Sequence, residues 1–167
     1  MTLNEKVVEI LKRHPEGGEK FFNALDLMVR GDKDILNDYV RWVQEYYGSD
    51  RKDIGVILTG SFGRVMVSLY GHWLQDFFGD VIIVNGGIRS GNPVELPVIN
   101  VPLNNYILLD DSYYSGKTIK SIESAIKKLN PKTTLSNAFV VYDGSKEHNI
   151  KILGMYRYYD KKDGHSS

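Results

Sequence analysis

The sequence has no cysteine among its 167 residues, and this absence excludes several kinds of site. A disulfide framework, a cysteine-ligated zinc ion and a thiol nucleophile all require cysteine. The sequence also lacks an excess of charge of either sign, with 21 Lys plus Arg against 21 Asp plus Glu. Proteins that bind a nucleic-acid backbone normally carry a basic excess, so we do not expect a nucleic-acid partner.

Long hydrophobic runs are also missing. A membrane-spanning helix needs roughly 18 or more apolar residues in succession, and no stretch approaches that length. The first residues lack the basic and then apolar pattern of a signal peptide. We therefore expect a cytoplasmic protein with no membrane partner. The apolar fraction of 42% and the charged fraction of 25% are ordinary for one globular domain.

Hydrophobic spacing divides the chain into a helical first part and an alternating second part. Residues 1–50 are predicted to form a helical N-terminal extension, in which Thr2 and Glu5 have the spacing of a capping box. Residues 51–160 contain short apolar runs, typical of buried strands, that alternate with helical segments. Strands are predicted at Ile54–Leu58, Val81–Val84, Tyr106–Leu109, Leu135–Tyr142 and Ile150–Tyr158, with a further short strand at Val94–Val98. Residues 161–167 are predicted to form a mobile polar tail.

Strands that alternate with helices predict an α/β fold, with a mainly parallel sheet and helices on both of its faces. In such sheets, ligands bind beyond the carboxyl ends of the strands. Two loops are predicted at those ends, Thr59–Arg64 and Asp110–Thr118, and each opens a predicted helix. These two loops are the candidate functional segments.

The second of these segments combines two adjacent acids with a small, hydroxyl-rich turn. The start of a helix presents backbone N–H groups and a partial positive charge, which suit a phosphate. The turn adds a glycine that allows close backbone approach, two hydroxyls and one charge, from Gly116, Ser115, Thr118 and Lys117. Asp110 and Asp111 would accept hydrogen bonds from the vicinal hydroxyls of a sugar. The segment therefore predicts a sugar-phosphate pocket.

A P-loop is the main competing interpretation, because Gly116-Lys117-Thr118 matches the end of that motif. The first glycine of the P-loop would fall at Asp111, where a carboxylate would meet the nucleotide phosphates. This excludes the P-loop. The other interpretation is an acidic strand end and a hydroxylic helix cap with no ligand.

The segment strongly resembles the phosphoribosyl-diphosphate binding motif of the type I phosphoribosyltransferases. That motif has an apolar strand, two acids, a short variable stretch and then Thr/Ser-Gly-x-Thr. Its diagnostic positions are filled here by Asp110, Asp111, Ser115, Gly116 and Thr118. The resemblance implies transfer of a 5-phosphoribosyl group from phosphoribosyl diphosphate to a nitrogen of a nucleobase or similar acceptor, with release of pyrophosphate.

The resemblance also implies a role for each part of the motif. Asp110 and Asp111 would be the catalytic residues that hold the ribose hydroxyls. The 5-phosphate would lie in the loop formed by Ser112, Tyr113, Tyr114, Ser115, Gly116, Lys117 and Thr118. Mg²⁺ is the implied cofactor; it would be held mainly through the substrate, near the two acids, with no direct ligand set from the protein.

Pyrophosphate would bind a second loop, which here is Thr59-Gly60-Ser61. Members of the family often have Lys or Arg where Thr59 stands, so Arg64 is a candidate to supply that charge. Arg89 is another candidate, since it is the basic residue of a glycine- and proline-rich segment, 85–100, that we expect to cover the site.

The acceptor contacts are expected near the chain ends, and Tyr142 and Ile152 are the candidates. Tyr114 stands where members that act on 6-oxopurines commonly have Asp, which argues against a hypoxanthine or guanine acceptor. With tyrosine at this position, the sequence resembles the members of the family linked to uracil and to pyrimidine regulation. Family members are often dimers, and we expect a homodimer that serves nucleotide salvage.

Two other functions remain open. One is a regulatory protein on the same fold that senses nucleotides or phosphoribosyl diphosphate with little or no catalysis. The other is a sugar-phosphate or nucleotide hydrolase of α/β type, which would need a nucleophile or a metal cluster beyond the two acids.

Overall fold

A computed structural model describes residues 2–16, 18–84, 103–114, 116–147, 149 and 151–157. Three helices come first and are followed by the predicted alternation of strands and helices. The helices are α1 (Leu3–Arg13), α2 (Gly18–Gly31), α3 (Lys33–Tyr47), α4 (Gly60–Phe77) and α5 (Lys117–Leu129). The strands are β1 (Arg51–Thr59), β2 (Phe78–Val84), β3 (Asn105–Tyr113), β4 (Thr134–Asp143) and β5 (Ile152–Arg157).

The five strands form one sheet in the order β2-β1-β3-β4-β5, and every neighbouring pair is parallel. Parallel pairing places the carboxyl ends of all the strands at one edge of the sheet. The pairing of β1 with β3 sets Leu58 opposite Leu109, so that Thr59 and Asp110 follow at the same level. The two segments singled out in the sequence therefore emerge side by side.

Helices cover both faces of the sheet. Alternate strand residues, such as Leu58 and Leu109, pack against α3 and α4 in one buried cluster. Residues of the opposite parity, such as Ile57 and Leu108, pack against α5 in a second cluster. The predicted α/β fold with helices on both faces of a parallel sheet is confirmed.

The N-terminal helices α1 and α2 pack beside the carboxyl ends of β4 and β5. Val7 and Phe21 share a buried cluster there with Tyr142 and Tyr156. The capping box predicted at the start of α1 is present, with Thr2 and the side chain of the third helical residue bonded reciprocally. In the described ranges, no helix combines the length and the apolarity needed to cross a lipid bilayer.

The two boundaries that bear on the site differ from the sequence prediction. The turn expected at Thr59–Arg64 is wrong, because α4 begins at Gly60, directly after β1. Gly60 has a φ of +58°, a conformation that a residue without a side chain adopts at little cost, and it redirects the chain within one residue. β3 continues through both acids, because Ser112 and Tyr113 pair with β4. The strand predicted at Val94–Val98 and the tail 161–167 lie outside the described residues.

Gly55 gives a test of the packing between β1 and β3. A Cβ atom at residue 55 would lie 2.2 Å from Cε1 of Tyr106, so Gly55→Ala overfills the core. We expect this variant to lower the free energy of unfolding by about 1–3 kcal/mol in urea titrations.

Gly71→Ala is the matched control, because a Cβ there meets no atom within 4 Å and the position lies in α4. It should be neutral or slightly stabilising, since alanine has the higher helix propensity. Equal stability of the two variants would contradict the described packing.

Candidate active site

A cavity of about 760 Å³ opens at the carboxyl edge of the sheet. Its wall is formed by the β1–α4 junction, by the end of β3 with the start of α5, and by α2. The predicted site residues that line it are Thr59, Gly60, Ser61, Asp110, Asp111, Ser112, Tyr113, Tyr114, Gly116, Lys117 and Thr118. The fold thus brings both predicted segments to one cavity.

The first residue of α2 lines this cavity, and the starts of α4 and α5 line it as well. The residues that precede α4 and α5, Thr59 and Gly116, make no side-chain hydrogen bond to cap them. By contrast, α1 and α3 lie outside the cavity wall and are capped by the side chains of Thr2 and Asp32. The first N–H groups of a helix and its dipole favour an anion. The cavity therefore has two adjacent helix starts suited to phosphate groups.

The two acids lie at the end of β3 and form one wall of the cavity. The backbone N–H of Asp111 donates to Oδ1 of Asp110 at 2.9 Å. Burial raises the pKa of Asp110 well above its usual value, and the nearby carboxylates of Asp111 and Asp26 raise it further. Two adjacent carboxylates out of water resist simultaneous ionisation. The pair therefore favours the neutral form of Asp110.

The buried hydroxyl of Tyr39, from α3, lies behind these acids. It donates a hydrogen bond to the carbonyl oxygen of Phe139 at 2.5 Å. Burial, with the charges of Asp110 and Asp111, raises the pKa of Tyr39 well above its usual value. Tyr39 therefore stays neutral and packs the back of the acidic wall.

Asp111 is paired with a cation from α2. Its Oδ2 lies 3.1 Å from Nε of Arg30, and its Oδ1 accepts a longer hydrogen bond of 3.4 Å from the Ser112 hydroxyl. The side chain of Asp111 is 8% exposed and that of Arg30 is 25% exposed. The countercharge of the acid thus comes from the N-terminal helices.

Tyr114 ties the loop after β3 to the same helix. Its hydroxyl donates to Oδ1 of Asp26 at 3.0 Å, and its ring lies against that of Phe22, with centroids 4.1 Å apart. Burial is the main reason that the pKa of Tyr114 is raised well above its usual value, and the charge of Asp26 adds to it. Tyr114 is therefore a neutral hydrogen-bond donor that holds the loop against α2.

Sequence reasoning missed the contribution of α2, which lines the cavity with Gly18, Glu19, Phe22, Asn23 and Arg30. The available signal was the spacing of polar residues in this segment. Glu19, Asn23, Asp26 and Arg30 follow at intervals of three or four and share one face of a helix. That spacing indicates a polar stripe, but nothing local indicates what the stripe contacts.

The remaining predicted site residues lie elsewhere. Arg64 is exposed on α4 and is not among the residues that line the cavity. Tyr142 is fully buried and stacks on Tyr156, and Ile152 is buried in the cluster under α5, so both have packing roles and neither lines the cavity. Arg89 and Ser115 lie outside the described residues.

No protein-family model matches the sequence, and no curated protein matches it significantly. Solved structures do match the fold. The orotate phosphoribosyltransferase from Aeropyrum pernix aligns with a TM-score of 0.52 and 18% identity, over 82% of this chain and 80% of that chain. The adenine phosphoribosyltransferase from Leishmania donovani aligns with a TM-score of 0.51 and 11% identity, over 78% of this chain and 66% of that chain.

The chain has the type I phosphoribosyltransferase fold. This agrees with the family that the motif at Ile107–Thr118 resembles. At identities of 18% and 11%, these structural alignments show the phosphoribosyltransferase fold alone.

The raised pKa of Asp110 predicts a pH-dependent stability difference. Because folding favours the neutral form, this contribution to stability is present below the ordinary pKa of 3.8 and is lost as pH rises through the raised value of the folded state. The side chain of Asn in Asp110→Asn is always neutral, so the Tm of this variant should exceed that of the wild type at pH 7. The increase should be roughly 2–4 °C for each kcal/mol gained in the free energy of unfolding. The gain should disappear near pH 4 in scanning calorimetry.

Asp53→Asn is the control, because Asp53 is exposed and a hydrogen bond from Arg51 lowers its pKa. It should give no gain at pH 7. A Tm of Asp110→Asn below that of the wild type at pH 7 would refute a raised pKa of Asp110 in the folded state.

Proposed function

We propose that this protein is a phosphoribosyltransferase that moves a 5-phosphoribosyl group from phosphoribosyl diphosphate to a nitrogen of a nucleobase-like acceptor. One observation carries the proposal. A pair of acids shares a cavity with the starts of two helices, so acceptors for sugar hydroxyls stand beside two sites for phosphate groups. The phosphoribosyltransferase fold of the chain supports the same reaction class.

The 5-phosphate is proposed to bind at the start of α5. Gly116 precedes this helix with a φ of +80°, and a Cβ there would lie 3.0 Å from the Tyr113 hydroxyl. A glycine therefore allows the backbone to turn and to approach the phosphate closely. Lys117 and Thr118 line the same part of the cavity and add a charge and a hydroxyl.

The ribose is proposed to lie over Asp110 and Asp111, with its 2- and 3-hydroxyls donating to their carboxyl oxygens. The carboxylate of Asp111 also suits the positive charge that develops on the sugar as the bond at C1 breaks. Both roles need oxygen atoms that are fixed before the substrate arrives, which the position of the acids at the end of a paired strand supports.

Pyrophosphate is proposed to leave toward the start of α4, at Thr59, Gly60 and Ser61. The bond from C1 to the diphosphate oxygen breaks and its electron pair leaves with pyrophosphate, while the lone pair of the acceptor nitrogen forms the new bond to C1. The N–H proton of the acceptor passes to the departing pyrophosphate or to water. The backbone N–H groups at the helix start would stabilise the charge of the leaving group. Thr59 carries no charge, so this end of the cavity relies on backbone donors more than on a cation.

Mg²⁺ fits the donor atoms of the acidic wall. Mg²⁺ would be held mainly through the substrate phosphates, near the oxygen atoms of Asp110 and Asp111, since it is commonly bound by one or two carboxylates together with substrate phosphates. In the part of the chain that the structure describes, no group of three or more His, Asp or Glu residues could hold a metal alone. When bound with the substrate, Mg²⁺ would neutralise charge on the diphosphate.

The acceptor is proposed to enter along α2. Phe22 and Tyr114 offer aromatic surface at the cavity, and Glu19 and Asn23 offer a carboxylate and an amide from neighbouring turns. A planar heterocycle with ring nitrogens matches an aromatic surface with polar groups at its edge. These contacts favour a nucleobase-like acceptor without selecting one base.

The double variant Asp110→Asn with Asp111→Asn tests the reaction. We expect turnover, measured as pyrophosphate release with a panel of bases, to fall at least about a thousandfold, because the sugar loses both carboxylates. Circular dichroism should show a retained fold. The control is Asp38→Asn with Asp53→Asn, two exposed acids outside the cavity, and it should keep full activity.

Full activity of the Asp110 and Asp111 double variant would overturn the proposal. If the wild type binds phosphoribosyl diphosphate but releases no pyrophosphate with any base, the sensing function is favoured instead.

Gly116→Ala tests the phosphate site separately. The variant places a side chain at a left-handed position beside the Tyr113 hydroxyl, so we expect the Kd of ribose 5-phosphate to rise about tenfold or more in calorimetry. Gly48→Ala is the matched control, with a φ of +79° and no atom within 4 Å of the added Cβ. It should lose similar stability and keep the wild-type Kd. Equal affinity of the two variants would argue against phosphate binding at α5.

A further inference from the structure

We propose that Arg30 is a positioning residue for the sugar, which fixes the carboxylate of Asp111 in the orientation that accepts a ribose hydroxyl. By this contact the N-terminal helix α2 controls how well the site distinguishes a hydroxylated sugar from a phosphate-bearing ligand without ring hydroxyls. The inference rests on the proposed function, because it concerns how the same cavity recognises ribose.

The contact joins two distant parts of the chain. Nε of Arg30 lies 3.1 Å from Oδ2 of Asp111 across 81 residues of sequence. Both side chains are largely withdrawn from solvent, at 25% and 8% exposure, so water screens the pair only in part. A planar guanidinium also constrains the direction from which a carboxylate can pair with it. Arg30 therefore restrains the rotation of the Asp111 side chain.

The two oxygens of Asp111 consequently have different surroundings. Oδ2 is paired with the guanidinium, whereas Oδ1 accepts a long hydrogen bond of 3.4 Å from the Ser112 hydroxyl. A sugar hydroxyl can displace or share so long a contact at little cost. The ion pair thus leaves one oxygen of the acid as the acceptor for the ligand.

Further contacts fix the position of α2 relative to the two acids. Tyr114, just after β3, donates to Asp26 at 3.0 Å and packs on Phe22, so two residues of α2 are tied to the loop. Phe21 and Leu25, on the adjacent face of the helix, are buried in a cluster against which Phe22 and Tyr114 also pack. The position of Arg30 is therefore determined by the docking of the whole helix.

Removing Arg30 should weaken recognition of the sugar hydroxyls in particular. Without the guanidinium, the buried Asp111 carboxylate faces Asp110 with no countercharge from α2 and loses its fixed orientation. Hydrogen bonds to charged groups contribute about 1.5–3 kcal/mol, which corresponds to a factor of roughly 10–100 in Kd. The 5-phosphate, which is proposed to bind at the start of α5, has no proposed contact with Arg30, so its affinity should be little changed.

The test compares two ligands by calorimetry at one fixed Mg²⁺ concentration. Ribose 5-phosphate has the ring hydroxyls, and tetrahydrofurfuryl phosphate has the same ring and phosphate without them. We expect wild-type protein to prefer ribose 5-phosphate. Arg30→Gln should reduce this preference about tenfold or more by weakening the binding of ribose 5-phosphate. The Kd of tetrahydrofurfuryl phosphate should change less than about threefold.

Arg30→Lys is the second variant, since it keeps the charge and loses the planar fork, and it should lie between Arg30→Gln and the wild type. It also serves the test if Arg30→Gln fails to fold. Arg41→Gln is the control, because Arg41 is exposed, pairs with Asp38 on the same helix and lies outside the cavity wall. It should keep the wild-type preference.

The outcomes separate this inference from the proposed function. If the wild type binds neither ligand, or binds both equally, the proposed ribose site itself fails. If the wild type prefers ribose 5-phosphate and the Arg30 variants keep that preference, the positioning role is refuted while the ribose site stands. An equal loss of affinity for both ligands in the Arg30 variants also refutes the positioning role, since that result indicates general disruption of the cavity.

Discussion

The parallel pairing of β1 with β3 is the constraint on which the cavity depends. The register that sets Leu58 opposite Leu109 places the next residues of the two strands, Thr59 and Asp110, at one edge of the sheet. Since α4 begins directly after β1, and α5 begins shortly after β3, two helix starts also meet there. A shift of either strand by one residue would turn its alternating side chains to the opposite face and separate these groups.

The same edge carries a cost in stability. Asp110 and Asp111 are adjacent in sequence, and withdrawal from water raises the pKa of the first well above its usual value. The carboxylate of Asp111 is paired with Arg30 at 3.1 Å. An apolar residue at either position would avoid the cost of burying an acid. Sites that hold charged groups out of water commonly reduce stability in exchange for a prepared binding geometry. The acidic wall therefore fits a functional site better than a structural one.

The sequence predicted those parts of the protein that depend on local pattern. Apolar runs such as the one before Asp110 marked the buried strands, and the acids followed by Gly116 marked the segment that lines the cavity. The candidates Tyr142 and Ile152 rested on the family resemblance and on their place near the chain end, and both residues are buried in the core. The predicted end of β3 was also wrong, because this strand continues for as long as it pairs with β4. The extent of that pairing depends on a distant strand and is not visible in the local sequence.

The sequence by itself determined the class of fold, the twin acids and the glycine turn, because hydrophobic periodicity and turn chemistry act between residues close in the chain. Only the tertiary structure decided that α2 forms the third wall of the cavity, that Tyr114 bonds Asp26, and that Arg30 pairs with Asp111 across 81 residues. Such contacts depend on how a helix docks on a sheet edge. That docking follows from the combined burial of many side chains, and a local stretch of sequence does not specify it.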